Sequence, residues 1–203
     1  MTDFSPNIKQ EAQEMLADFP TKKSALLMIL RLVEKQFGFI DDAGMEIAAK
    51  YCEVSVAHVQ GAVTFYTHYK RPYHGKHRFM VCATLMCSMG GQSDRALKQI
   101  EARLGLKAGE RSADALFSVE KVECLADCHL PPVVQIDFDH RTCFEGEALD
   151  TFIDALLARE GKSRDEYKGK AGVAMNARVA VMPVQPTLHK LRVGPGPAGG
   201  SEA

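Results

Sequence analysis

Two short cysteine pairs constrain this chain more than any other feature. Cys82 and Cys87 are separated by four residues and Cys124 and Cys128 by three, and the stretch between the pairs is long enough for a helix and a strand. No apolar leader follows Met1, and the longest apolar run, Ala25 to Leu30, is far short of the ~20 residues of a membrane-spanning helix. The chain therefore reads as cytosolic and soluble. In a reducing compartment six cysteines do not make a disulfide framework, so their spacing points to a ligand role.

Thiolate is the soft ligand of iron–sulfur clusters, and four thiolates complete the two tetrahedral irons of a [2Fe–2S] centre. The same four donors can hold one structural zinc ion, which favours paired spacings of two to four residues, or remain unligated. Spacing alone leaves these three readings open. The intervening loops carry Met86, Ser88, Gly90, Gly91, Leu125, Ala126, Leu130, Pro131 and Pro132. Residues of these small, apolar or rigid types can aim backbone N–H groups at sulfur and keep water back. Cys52 and Cys143 have no close partner in sequence and read as packed thiols.

The seven histidines show no i, i+4 pairing with a carboxylate and read as surface or packing residues; His129, which follows Cys128 directly, reads first as a surface residue, with tuning of the centre as the alternative. Asp127, just before the same cysteine, is a carboxylate that would disfavour adding an electron beside it.

Around the cysteines the chain changes period. Helices are expected over residues 8–19, 21–38, 42–52 and 56–69, with Ser55 as the N-cap of the fourth and Gly38 as the C-cap of the second. Leu26, Leu27, Leu30, Val33 and Phe37 supply one apolar face of the second helix. After Pro72 the order becomes strand (HRFMV), helix (94–104), strand (116–123), strand (133–138) and helix (147–159). The expected architecture is α+β or α/β: a helical bundle over residues 1–72, an α/β domain over 73–160 and an extended tail over 161–203. The tail is Gly/Pro-rich from Val193, and its MNARVAVMPVQPTLHKL segment is expected to dock on a partner or be disordered.

A formal net charge of −1 gives no electrostatic footprint for nucleic acid. No G-x-G-x-x-G follows an expected strand, so no dinucleotide fingerprint is present. The absence of C-x-x-C also argues against a thiol oxidoreductase.

Four segments, KKSALLMILRLVEKQFGFI, AHVQGAVTFYTHY, VCATLMCSMGG and ECLADCHLPPVVQI, occur in the order found in a known family. Over residues 8–160 the chain resembles the thioredoxin-like [2Fe–2S] ferredoxins. That family supplies the small subunit of the flavoprotein module of NADH:quinone oxidoreductase (respiratory complex I), and related subunits of NAD-linked hydrogenases and formate dehydrogenases. The resemblance implies a thioredoxin-like α/β domain and one [2Fe–2S] cluster on Cys82, Cys87, Cys124 and Cys128. It implies too that FMN and NAD(H) lie on a flavoprotein partner packed against the helical region, with further iron–sulfur subunits nearby. The chain would then pass electrons, not hydride, as part of an oxidoreductase in the cytoplasm or at the cytoplasmic face of a membrane, without inserting into it. Where the family usually has a small residue and then Ala-Pro after the last ligand, this sequence has His129, Leu130, Pro131 and Pro132, and Asp127 replaces a commonly small residue.

Overall fold

A computed structural model describes residues 3–167 and 172–175. Four helices open the chain: α1 (Pro6–Ala17), α2 (Leu26–Phe37), α3 (Asp42–Cys52) and α4 (Val56–Phe65). Pro6 opens α1, where a missing N–H costs nothing, and a 3-10 turn over Lys22–Ala25 leads into α2. Gly38 ends α2 in the left-handed conformation (φ 80°), as its sequence position predicts. The Ser55 hydroxyl accepts from the His58 N–H at 3.2 Å and caps α4. Two expected ends move: α1 stops at Ala17 rather than residue 19, and α4 stops at Phe65 rather than residue 69.

The bundle buries Ile29, Leu30, Val33, Ile40, Ala48 and Val59 completely or nearly so. Leu27, expected on the buried face of α2, is instead partly exposed.

The second half holds a mixed six-stranded sheet in the order β5-β4-β1-β3-β2-β6. Its strands are β1 (His77–Cys82), β2 (Glu110–Arg111), β3 (Phe117–Val122), β4 (Val134–Ile136), β5 (Asp139–Arg141) and β6 (Val173–Ala174). β1 and β3 are parallel neighbours, with Cys82 opposite Val122, and the remaining pairings are antiparallel. Between β1 and β2 run a single turn, α5 (Leu85–Ser88), and the longer α6 (Gln92–Leu104); α7 (Glu147–Arg159) follows β5. Phe79, Val81, Phe117 and Val119 from the sheet pack with Leu97, Ile100 and Leu104 of α6 and Leu149 and Ile153 of α7. Gly75 lets the chain enter β1 against β3, because a Cβ there would lie 2.4 Å from the Phe117 carbonyl carbon.

The expected strand over 133–138 ends early, at Ile136, and a second strand follows it. Asp137 (φ 54°) turns the chain so that Ile136 pairs with Asp139, making a β4–β5 hairpin. The expected tail also needs correction. A 3-10 turn over Arg164–Glu166 delivers Tyr167 into the core, where its ring meets Phe117 at 5.3 Å, edge to face. Val173 and Ala174 then extend the sheet beyond β2. One buried aromatic anchors this stretch, and a single anchor leaves no periodic trace in a sequence. The segment from Asn176 onward, including most of MNARVAVMPVQPTLHKL, lies outside the described residues. Among the described residues no helix is long and apolar enough to cross a membrane.

Candidate metal centre

The parallel pairing of β1 and β3 brings the cysteines together. Cys82 is the last residue of β1 and Cys124 lies just beyond the end of β3, so both stand at the carboxyl end of the two central strands, where open α/β sheets place ligands. Cys87 returns from α5, and Cys128 from the loop that reaches β4 through the cis Pro131–Pro132 bond. The Cys82 N–H donates to the Val133 carbonyl at 3.1 Å, tying the two loops at their base. The buried Ser93 hydroxyl donates to the Cys82 carbonyl and fixes the start of α6 to the same point.

All six cysteines are free of disulfide bonds. Cys82 and Cys87 are buried beside Val133 and Leu125, while Cys124 is exposed. The sulfurs of Cys124 and Cys128 are 3.4 Å apart. Electrostatic coupling runs across the pairs as well as within them, from Cys128 to Cys82 and Cys87 and from Cys124 to Cys82.

Within each pair the thiols are pushed in opposite directions. Burial alone would raise Cys82, but the Thr84 hydroxyl and the N–H groups of Thr84 and Leu125 outweigh it and hold the thiol below its ordinary value. Burial raises Cys87 against the Val133 N–H. The Ala126 N–H, 3.4 Å from the Cys124 sulfur, lowers that thiol first, and its hydrogen bond with Cys124 raises Cys128.

This donor set fits a [2Fe–2S] cluster. Four soft thiols stand as two pairs on two loops, with backbone N–H groups and a hydroxyl already aimed at sulfur.

The family profile described as thioredoxin-like [2Fe-2S] ferredoxin matches residues 12–157. The chain belongs to the thioredoxin-like [2Fe–2S] ferredoxin family. It is 32% identical over 163 residues to NADH-quinone oxidoreductase subunit 2 of Thermus thermophilus, covering 79% of this chain and 90% of that protein. It is likewise 32% identical over 157 residues to an NADH-quinone oxidoreductase subunit of Aquifex aeolicus, covering 77% and 95%. Among solved structures, an NAD+-reducing [NiFe]-hydrogenase in the H2-reduced state superposes with a TM-score of 0.54 at 14% identity, over 70% of this chain and 25% of the hydrogenase chain. That likeness is one of fold.

Within this ferredoxin-type fold the other expectations fare differently. Cys52 is buried, as expected of a packed thiol, and burial pushes it up to about 11. Cys143, expected to be packed, is exposed instead, because the residue sits at φ 49° in the turn that follows β5. Its N–H donates to the Leu130 carbonyl, so the backbone and not the thiol makes the connection. His129 points to solvent, and Asp127 lies 3.7 Å from both His129 and His140. Sequence reasoning missed Thr84. A Thr two residues after a candidate ligand was the available signal, but its use depends on the turn into α5.

Proposed function

We propose that this chain is a one-electron carrier subunit of an NADH dehydrogenase module, holding one [2Fe–2S] cluster on Cys82, Cys87, Cys124 and Cys128. The observation that carries the reading is the meeting of two thiol pairs at the carboxyl end of β1 and β3 in a member of this family. When bound, such a cluster takes up and returns a single electron. The chain's own residues hold it, donate hydrogen bonds to its sulfur ligands, and keep water from the Cys82–Cys87 side through Val133 and Leu125.

FMN and NAD(H) are assigned to a flavoprotein partner, a reading supported by relatives that are subunits of NADH-quinone oxidoreductases. We assign residues 73–160 to the cluster and residues 1–72 to partner docking. In support, Leu27, Phe65 and Tyr66 line an open groove of about 670 Å³ between α2 and α4, floored by Ala57 and Gly61. Exposed apolar side chains around a shallow groove are the usual mark of a protein interface. Around the cysteines, Leu85, Met86, Met89 and Leu130 form a second exposed apolar rim, suited to the partner that exchanges the electron. The host complex would stand at the cytoplasmic face of a membrane, with further iron–sulfur subunits beside this one.

The test is anaerobic purification, iron and sulfide analysis, and an EPR spectrum of the dithionite-reduced protein. About two irons and two sulfides per chain with a reduced [2Fe–2S] signal are expected. Zinc without acid-labile sulfide would replace the proposal with a zinc-stabilised interaction module. Co-purification names the host, complex I or the equivalent hydrogenase or formate dehydrogenase.

A further inference from the structure

Thr84 occupies the N-cap position of α5 in extended conformation (φ −90°, ψ 170°), where a threonine hydroxyl ordinarily accepts from a backbone N–H of the first turn. Here the hydroxyl makes no capping bond. It lies 3.2 Å from the Cys82 sulfur. Towards a thiolate, which has no proton to give, the Thr84 hydroxyl can only donate.

From this geometry we infer that Thr84 tunes the reduction potential of the centre by donating its hydroxyl proton to the ligand sulfur of Cys82. The inference rests on the ligand assignment proposed above. Adding one electron increases the negative charge shared by the four sulfurs, so a fixed O–H dipole aimed at one of them stabilises the reduced state more than the oxidised one. Hydrogen bonds to cluster sulfur are among the main means by which a protein tunes such potentials. The Thr84 hydroxyl acts on the ligand sulfur, and the residue is half-buried, so bulk water only partly screens it.

The full-length holoprotein is compared with Thr84→Val, which keeps the β-branched shape without the hydroxyl, and Thr84→Ser, which keeps the hydroxyl without the methyl group. Iron and sulfide per chain are measured first, and midpoint potentials are then read by EPR-monitored redox titration on loaded protein. Thr84→Val is expected to lower the midpoint, cutting the reduced-to-oxidised ratio at a fixed ambient potential by roughly threefold or more, where tenfold corresponds to about 59 mV for one electron. Thr84→Ser should restore the wild-type midpoint. If Thr84→Val loads poorly, Thr84→Ala supplies the same comparison. A fully loaded Thr84→Val or Thr84→Ala protein with the wild-type midpoint overturns the inference while leaving the carrier reading intact. Wild-type protein without acid-labile sulfide overturns both.

Discussion

The guanidinium of Arg78, the second residue of β1, donates to the carbonyl of Thr67 at 3.0 Å and so fastens the sheet to the chain leaving α4. The same group donates to the His68 carbonyl at 3.2 Å and to the Glu120 carboxylate at 2.6 and 2.9 Å, with its side chain 3% exposed. One buried side chain therefore ties the bundle's exit to both central strands, the two that carry Cys82 and lead to Cys124. Replacing Arg78 with Met removes the donor and strands a carboxylate and two carbonyls. A loss of ~3–5 kcal/mol is expected, the usual cost of breaking one side of a buried pair. Chemical unfolding at neutral pH measures it. Arg78→Lys should recover only part, since an ammonium cannot span the same set of acceptors. A loss below about 1 kcal/mol would mean that the pair behaves as a surface contact.

Tyr167 tests whether the chain beyond α7 belongs to the sheet. Its ring covers Phe117, which is fully buried, and its hydroxyl donates to Asp114 at 2.8 Å. Tyr167→Ala is expected to cost ~3–5 kcal/mol from the cavity it leaves. Tyr167→Phe should lose only about 1 kcal/mol, the share of one hydrogen bond. Thermal unfolding of the two variants separates packing from the hydroxyl. Equal, small losses would show that this segment does not hold the sheet.

Sequence periodicity exposed the elements that bury a repeating face. Leu149, Ile153 and Leu156 recur along α7, the run HRFMVC is buried throughout as β1, and the caps at Ser55 and Gly38 mark real helix ends. It did not expose elements made by a single event. The β4–β5 hairpin depends on Asp137 entering the left-handed region, and the anchoring of the tail depends on Tyr167. The four cysteines were legible because thiolate chemistry narrows their uses. Their meeting was not legible from spacing, because it depends on the β1–β3 register across the sheet. Thr84 was missed for a related reason: a threonine before a short helix reads as a cap, and only the geometry turns it to sulfur.

Acid should unfold this protein earlier than its near-neutral net charge suggests. His74 is pushed down to about 3 by burial first, and then by Arg78, Lys70 and Arg71 around it. A histidine with a depressed folded value binds its proton more readily when unfolded. Stability therefore begins to fall as pH drops below the unfolded value of ~6.5 and goes on falling towards the folded one. Asp137 adds to this in a lower window. Burial would raise it, but hydrogen bonds from His77 and the Arg78 N–H, with the Lys70 charge, hold it below the usual carboxylate range. Its contribution is complete above the unfolded value of ~3.9 and disappears as pH falls through the lowered folded value. Urea midpoints measured from pH 7.5 to 3 should fall continuously. His74→Gln should flatten the upper part of that curve, and an unchanged slope between pH 6.5 and 5 would rule His74 out as its cause.

Cys124 and Cys143 are both exposed, yet opposite outcomes are expected when each is replaced by Ser. The Cys124 sulfur is 3.4 Å from that of Cys128, accepts from the Ala126 N–H and couples to Cys82, so it stands inside the sulfur group. Among the described residues Cys143 is joined to the same region through its backbone N–H, which donates to the Leu130 carbonyl. Cys124→Ser offers a harder oxygen donor in place of a thiolate, and iron, sulfide and the reduced EPR signal should all fall to a small fraction of wild type. Cys143→Ser should keep all three. The contrast guards against a trivial result, because both substitutions remove one solvent-facing thiol and alter side-chain volume equally. Retention of iron in Cys124→Ser together with its loss in Cys143→Ser would reassign the fourth ligand to the turn after β5.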